Sequence, residues 1–211
     1  EKAPALIVAE WVQGKPSSIE PGKVILIEVF QVNCPGCFLG GFPEVIDLHN
    51  KYKDKGLVVW GLATAFEDFD KNNLDNLKRL LGNGEVVGET LAYLDSRDML
   101  SEGRLQYKIP FPVAWDSVVS RNAEASDQEV DGIISRDIED VDSLPPASME
   151  KIRQQVRGWL KQKKYDSNTF DLYKLRGTPS TILIDKRGCL RYKLFGFGQG
   201  LEGYVKKLLG E

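Results

Sequence analysis

Two stretches of the chain are apolar at nearly every position, Lys23 to Phe30 (KVILIEVF) and Leu57 to Leu62 (LVVWGL). They are short, rich in β-branched residues and lack polar alternation, so both predict strands buried on two faces. Glu28 is the charge that interrupts the first run. Between the runs, Cys34 to about Lys53 predicts a helix, with Val45, Ile46, His49 and Tyr52 at helical spacing. Gly40, Gly41 and Pro43 should kink its start. Strand, helix and strand make one β-α-β unit, with two cysteines at its first turn. Ahead of it, Ala5 to Val12 alternates weakly before the turn Gly14-Lys15-Pro16, which predicts a leading strand or hairpin.

Further along, Leu74, Leu77, Leu80 and Leu81 predict a helix stopped by Gly82. Glu85 to Leu105 reads as irregular helix. Ile109 to Trp115 reads as a short strand, and its two prolines place it at a sheet edge or give it a ragged start. Ser117 to about Asp166 is long and polar. Within it, Ser148 predicts the cap of a helix carrying Met149, Ile152, Val156, Trp159 and Leu160 on one face. Thr181 to Ile184, the turn Asp185 to Gly188, and Cys189 to Phe195 predict a β-hairpin. A last helix carries Leu201, Tyr204, Val205, Leu208 and Leu209. The expected class is α/β, with parallel strands first and an antiparallel hairpin last, flanked by helices. The length suits a single domain over residues 1–211, with 117–166 a long, mainly helical insertion within it rather than a separate domain.

Composition narrows the chemistry. With 28 basic against 31 acidic residues there is no electrostatic footprint for nucleic acid. No apolar run reaches the length of a membrane span. The chain opens at Glu1 with no signal peptide, and it has one thiol left over; both lean toward the cytoplasm, unless a leader once preceded Glu1. Three cysteines are too few for a disulfide-stapled scaffold. The pair in Cys34-Pro35-Gly36-Cys37 is too close to staple a loop but suits redox exchange. Zinc would need two more ligands, and only Cys189 and His49 remain, so no metal and no cofactor is expected. Cys189 reads as an inert small hydrophobe and His49 as structural. Asp127 to Gly132 has the opening rhythm of a calcium loop, with Ile134 at the hydrophobic position. Its closing position is Ile138, with Glu139 displaced by one, so a solvated acidic loop is the better reading.

Three features then combine. The Cys34-Pro35-Gly36-Cys37 motif follows the first long strand, Gly177-Thr178-Pro179 precedes the strand at Thr181, and Glu28 lies six residues before Cys34. This combination resembles the thioredoxin superfamily. Leu175 to Gly188 (LRGTPSTILIDKRG) and the leading EWVQGKPSSIEPGKVILIEVF are similar to its redoxin branch, which includes the TlpA and ResA type proteins. The likeness covers roughly residues 5–66 and 170–210. The chain departs from the usual pattern in having Asn33 in place of Trp, Pro35-Gly36 in place of Gly-Pro, and Pro43 six rather than five residues after Cys37. The resemblance implies a thiol–disulfide oxidoreductase acting on protein disulfides or dithiols and reset by a separate redox partner. It also implies a cis Pro179, and a Thr178 that presents backbone groups to an extended substrate lying against Asn33, Pro35 and Gly36.

Disulfide exchange needs a thiolate near neutral pH. If Cys34 caps its helix, its sulfur faces the free N–H groups and positive dipole end of the first turn. Pro35 loses little at the first helical position, and Gly36 keeps its N–H. Cys37, a turn further in, should be more buried. Cys34 would then attack and Cys37 resolve. Glu28, in an apolar strand, should have a raised pKa and exchange a proton with Cys37; alternatively it pairs with a lysine such as Lys23. Other functions fit less well. A peroxiredoxin would need Pro-x-x-x-Thr before its cysteine, where Ile27 and Gln31, or Phe30 and Cys34, stand. A Sco-type copper protein would need CxxxC and a distal His. A binding module whose insertion docks a partner remains the non-enzymatic alternative.

Overall fold

The computed structural model describes residues 1–14, 19, 21–122, 124–138 and 140–211. Lys15 and Pro16 of the expected turn, and Glu139, lie outside the described residues. In chain order come β1 (Val8–Gln13), β2 (Val24–Phe30), α1 (Phe42–Tyr52), β3 (Leu57–Ala63), α2 (Leu74–Asn83), α3 (Gly88–Asp95), β4 (Leu100–Ser101), β5 (Arg104–Leu105) and β6 (Val113–Asp116). Then follow β7 (Val118–Ser120), α4 (Asp127–Asp137), α5 (Pro146–Gln162), β8 (Tyr165–Ser167), α6 (Asn168–Leu172), β9 (Ser180–Ile184), β10 (Leu190–Phe195) and α7 (Leu201–Gly210).

The main sheet has six strands in the order β1-β6-β3-β2-β9-β10. β6, β3 and β2 run parallel to one another, and the other pairs are antiparallel. This is the mixed α/β architecture expected, of thioredoxin type. β2 is buried along its whole length because it is paired on both sides and covered on both faces. Each of its large apolar side chains contributes about 1.5–3 kcal/mol by leaving water. Strand alternation divides them. Ile25, Ile27 and Val29 join Trp60, Leu62, Ile182 and Ile184 in one core. Phe30 on the opposite face meets the rings of Phe38 and Phe42 at centroid distances of 6.3 and 4.7 Å. Glu28 shares that second face, which puts a carboxyl among the side chains beneath the cysteine helix.

Several elements differ from expectation. β6 is not an edge: Pro110 and Pro112 both precede it, so its own N–H groups are free to join the ladders to β1 and β3. α2 runs on through Gly82 and stops at Gly84, whose left-handed φ of 78° needs no Cβ and whose N–H returns to Leu80 O. The expected irregular helix over 85–105 is α3 followed by the β4–β5 hairpin, turned by Glu102 and Gly103 at φ 53° and 73°. α5 begins at Pro146, with Ser148 inside its first turn and making no cap. Trp159 is 53% exposed and does not share the buried side of α5 with Leu160. The acidic run from Asp127 is the start of α4, not a loop. Ser126 accepts the Glu129 N–H as its cap, and Asp127, Glu129 and Asp131 pair with Arg157, Arg121 and Arg153. α6 was not foreseen; Asp116, at the end of β6, accepts the N–H groups of Thr169 and Phe170 at 2.9 and 3.1 Å.

The described residues divide into two compact units. Glu1–Ser117 with Ser167–Glu211 holds the six-stranded sheet, and Val118–Asp166 has a small core of Val130, Ile134 and Leu160. No helix among the described residues is long and apolar enough to cross a membrane.

Candidate active site

The chain leaves β2 at Phe30, turns, and is helical from Pro35. Cys34 stands at that helix start, half-buried, and Cys37 is fully buried one turn in. The two are joined as a disulfide, with Cα atoms 5.4 Å apart. Cys34 Sγ lies 3.6 Å from the carbonyl oxygen of Thr178, and the Thr178–Pro179 bond is cis. The Cys37 N–H, in the first turn that the Cys34 sulfur was expected to face, is bonded to Cys34 O at 3.0 Å.

The expected kink takes a defined form. Cys37–Gly41 is a π-helical turn, in which Phe42 N–H reaches back to Cys37 O. A π-turn is an α-helix carrying one inserted residue, and this chain has one more residue than usual between Cys37 and Pro43. The next carbonyl, of Phe38, would look to residue 43 for its donor, and proline has none. The Tyr107 hydroxyl supplies it at 3.0 Å, and burial pushes that hydroxyl's pKa well above its ordinary range. Tyr107→Phe should therefore leave a buried acceptor unsatisfied and cost about 1–3 kcal/mol. Denaturant unfolding measures it; unchanged stability would show that this carbonyl does not depend on Tyr107.

Glu28 is 1% exposed. Its Oε2 accepts from Thr181 Oγ1 at 2.9 Å, across the β2–β9 ladder, so its partner is Thr181 rather than Lys23. Oε1 has no hydrogen-bond partner among the described residues. A methyl on Gly41, the last residue of the π-turn, would stand 2.6 Å from that oxygen and 3.2 Å from Pro179 Cβ, so the carboxyl approaches bare backbone. Burial pushes its pKa up to about 8; the Thr181 hydrogen bond opposes this and the charge of Glu44 adds to it.

Asn33 has its polar atoms engaged within the chain. Its N–H donates to Asn72 Oδ1 at 2.7 Å and its Nδ2 to Asp68 Oδ2 at 3.1 Å. Its Oδ1 accepts the Glu89 N–H at 2.7 Å, serving the start of α3 where Val87 offers no cap of its own. Pro35 and Gly36 are half-buried beside it, and a methyl on Gly36 would be 3.7 Å from Pro179 Cδ. Sequence reading passed over Phe195 and Phe197, which flank this loop; the alternating glycines of Gly196, Gly198 and Gly200 around Phe197 were the available signal. His49 lies edge-on to Phe111 at 5.7 Å, and burial lowers its pKa. Cys189 is a half-buried free thiol at the β9–β10 turn. Among the described residues no group of three His, Cys, Asp or Glu is placed to hold a metal ion.

No protein-family model and no curated protein sequence matches the chain. Solved structures do. A thioredoxin-like superfamily protein is similar at 26% identity and TM-score 0.59, over 100% of this chain and 97% of that one. A thiol-disulfide isomerase from Corynebacterium glutamicum is similar at 26% identity and TM-score 0.59, over 99% and 96% of the two chains. A thioredoxin-like protein in its oxidised form, at 18% identity and TM-score 0.56 over 99% and 95%, agrees in fold. A disulfide-linked CxxC pair on this scaffold, with a thiol-disulfide isomerase matched almost end to end, supports a redox function. In its fold the chain is similar to the thioredoxin-like superfamily proteins, consistent with the resemblance to the redoxin branch.

Proposed function

We propose that this protein is a thiol–disulfide oxidoreductase that exchanges disulfides with protein substrates through Cys34 and Cys37. The observation that carries the reading is the asymmetry of the pair: a half-buried Cys34 sulfur beside the Thr178 carbonyl, linked to a fully buried Cys37. From the disulfide form, a substrate thiolate attacks Cys34 Sγ. The new S–S bond forms as the Cys34–Cys37 bond breaks, and the electron pair leaves on Cys37 as a thiolate. Glu28, mostly protonated at pH 7, supplies the proton that neutralises it. A second substrate thiolate then attacks the substrate sulfur of the mixed disulfide and releases Cys34. Two electrons have passed to the protein, and the substrate holds a disulfide. The two protons that the substrate thiols gave to solvent return from solvent to the Cys34 thiolate and to Glu28. Run backwards, the same steps reduce a substrate disulfide.

A polypeptide substrate is supported by the Thr178 backbone beside the reactive sulfur, which suits an extended chain. A separate redox partner would restore the starting state. On this reading the 118–166 unit is an insertion between β6 and α6 within a single domain.

The test is direct transfer. The reduced protein, freed of reductant, is mixed with a disulfide-containing protein, and thiols are counted on both by mass spectrometry after alkylation. Two thiols should appear on the substrate for each pair lost from the enzyme, and Cys34→Ser should transfer none. Absence of transfer in either direction would overturn the proposal.

A further inference from the structure

Phe195 and Phe197 remain 52% and 46% exposed, although they stand beside the reactive disulfide. Phe195 lies over Gly177, where a methyl would come within 2.8 Å of its Cε2. Phe197 lies across the first turns of the cysteine helix. A methyl on Gly40 would collide with its ring, and one on Gly36 would touch its Cε1 at 3.6 Å. The two rings thus stand on either side of Pro179, against the loop before it and the helix beyond it.

Their placement is held from both sides. Between them, Gly196 donates its N–H to Pro179 O at 2.9 Å, and Gly198 donates to Glu44 Oε2 at 3.0 Å. Gln199 Nε2 reaches the Phe195 carbonyl at 2.6 Å. Gly196 and Gly198 adopt φ of 84° and 73°, which a side chain would resist. An exposed ring fixed in this way adds little to folding through its open face. It does offer apolar contact to a ligand with little ordering entropy left to lose.

We propose that Phe195 and Phe197 form an aromatic clamp that selects polypeptides with an apolar side chain two residues from the reacting cysteine. The proposal rests on the thiol–disulfide reading and names its substrate class. In an extended peptide, residues two apart share a face. When the substrate sulfur meets Cys34, the side chains two positions away therefore point toward this same surface, where the rings flank the loop. A serine or a charged side chain there would be desolvated without a partner.

The experiment compares two peptide disulfides that differ only in having leucine or serine two positions from the cysteine. Exchange rates are measured with the natural protein and with Phe195→Ala, Phe197→Ala and Phe197→Tyr. The natural protein should prefer the leucine peptide by about tenfold, equivalent to about 1.4 kcal/mol of contact. Each alanine variant should lower that ratio, the double variant should bring it near one, and Phe197→Tyr should keep it. A purely structural role would slow both peptides together and leave the ratio intact, and that result overturns the clamp. So does a natural protein that exchanges with both peptides equally fast, which leaves the thiol–disulfide reading standing. A natural protein that exchanges with neither peptide, nor with dithiothreitol, ends both.

Discussion

Cys37→Ser is expected to accumulate a covalent adduct with its substrate, and Cys34→Ser is expected to form none. An incoming sulfur can reach Cys34, which is half-buried at the helix start, but not Cys37, which is fully enclosed. Once a mixed disulfide has formed on Cys34, the group that resolves it fastest is a thiol held 5.4 Å away, Cα to Cα, on the same turn. Well-placed intramolecular groups act at effective concentrations on the order of 10⁵ M, so external thiol at millimolar levels is a poor replacement. Removing the Cys37 sulfur should lengthen the life of the adduct at least on the order of a thousandfold. Mass spectrometry of the acid-quenched, unreduced reaction reads it. Adducts found mainly on Cys34→Ser would reverse the two roles.

The second large effect belongs to Glu28→Gln. Burial raises the Glu28 pKa from an ordinary 4.5 to about 8, so between those values the folded chain holds a proton that the unfolded chain releases. Stability contributed by this group is therefore full at low pH and falls as pH rises through that window. Near pH 7 the cost is about 3 kcal/mol by linkage, and glutamine, which cannot ionise, does not incur it. Chemical denaturation of both proteins with the disulfide intact should show little difference at pH 4.5. The variant should gain by about 3–4 kcal/mol on going to pH 8. A difference that stays flat with pH would mean that Glu28 is not a buried neutral acid. The same variant tests proton transfer: in single turnovers the step that breaks or makes the Cys37 bond should slow while attack at Cys34 does not. Equal slowing of both steps, or of neither, would refute the relay.

The centre of the fold was legible because its signal is local. A strand paired on both sides and covered on both faces must be apolar throughout, so β2 and β3 stand out in any reading. The CxxC pair was legible because it follows such a strand, and the Gly177-Thr178-Pro179 loop, just ahead of β9, through its resemblance to the thioredoxin superfamily. The acids from Asp127 misled because a calcium loop and a helix N-terminus both favour closely spaced carboxylates. Ser126 three residues before Glu129 was the feature that separated them, since it marks a capped start. Tyr107 was beyond reach: its importance arises from the missing N–H of Pro43, and nothing in the intervening chain announces that the two meet. Phe195 was read as the end of a hairpin, and Phe197 received no reading. Their position against Gly177 and Gly40 depends on how β10 returns past the cysteine helix, which periodicity does not encode.

Asn33 has a mechanical consequence for the redox cycle. Three hydrogen bonds from this one residue, with Thr90 Oγ1 on Val32 O at 2.9 Å, rivet the chain just ahead of Cys34 to the 68–72 segment and to the start of α3. That side of the disulfide has little torsional play. On the thiol–disulfide reading, displacement on opening the disulfide is expected on the other side, in the widened turn that begins at Cys37. There the backbone is glycine at two of its five positions, Gly40 and Gly41, and one carbonyl hangs from a tyrosine hydroxyl instead of the helix's own ladder. The restraints around the disulfide are thus asymmetric: side-chain hydrogen bonds from neighbouring segments tie the backbone ahead of Cys34, and the turn from Cys37 is held by packing and one tyrosine hydroxyl.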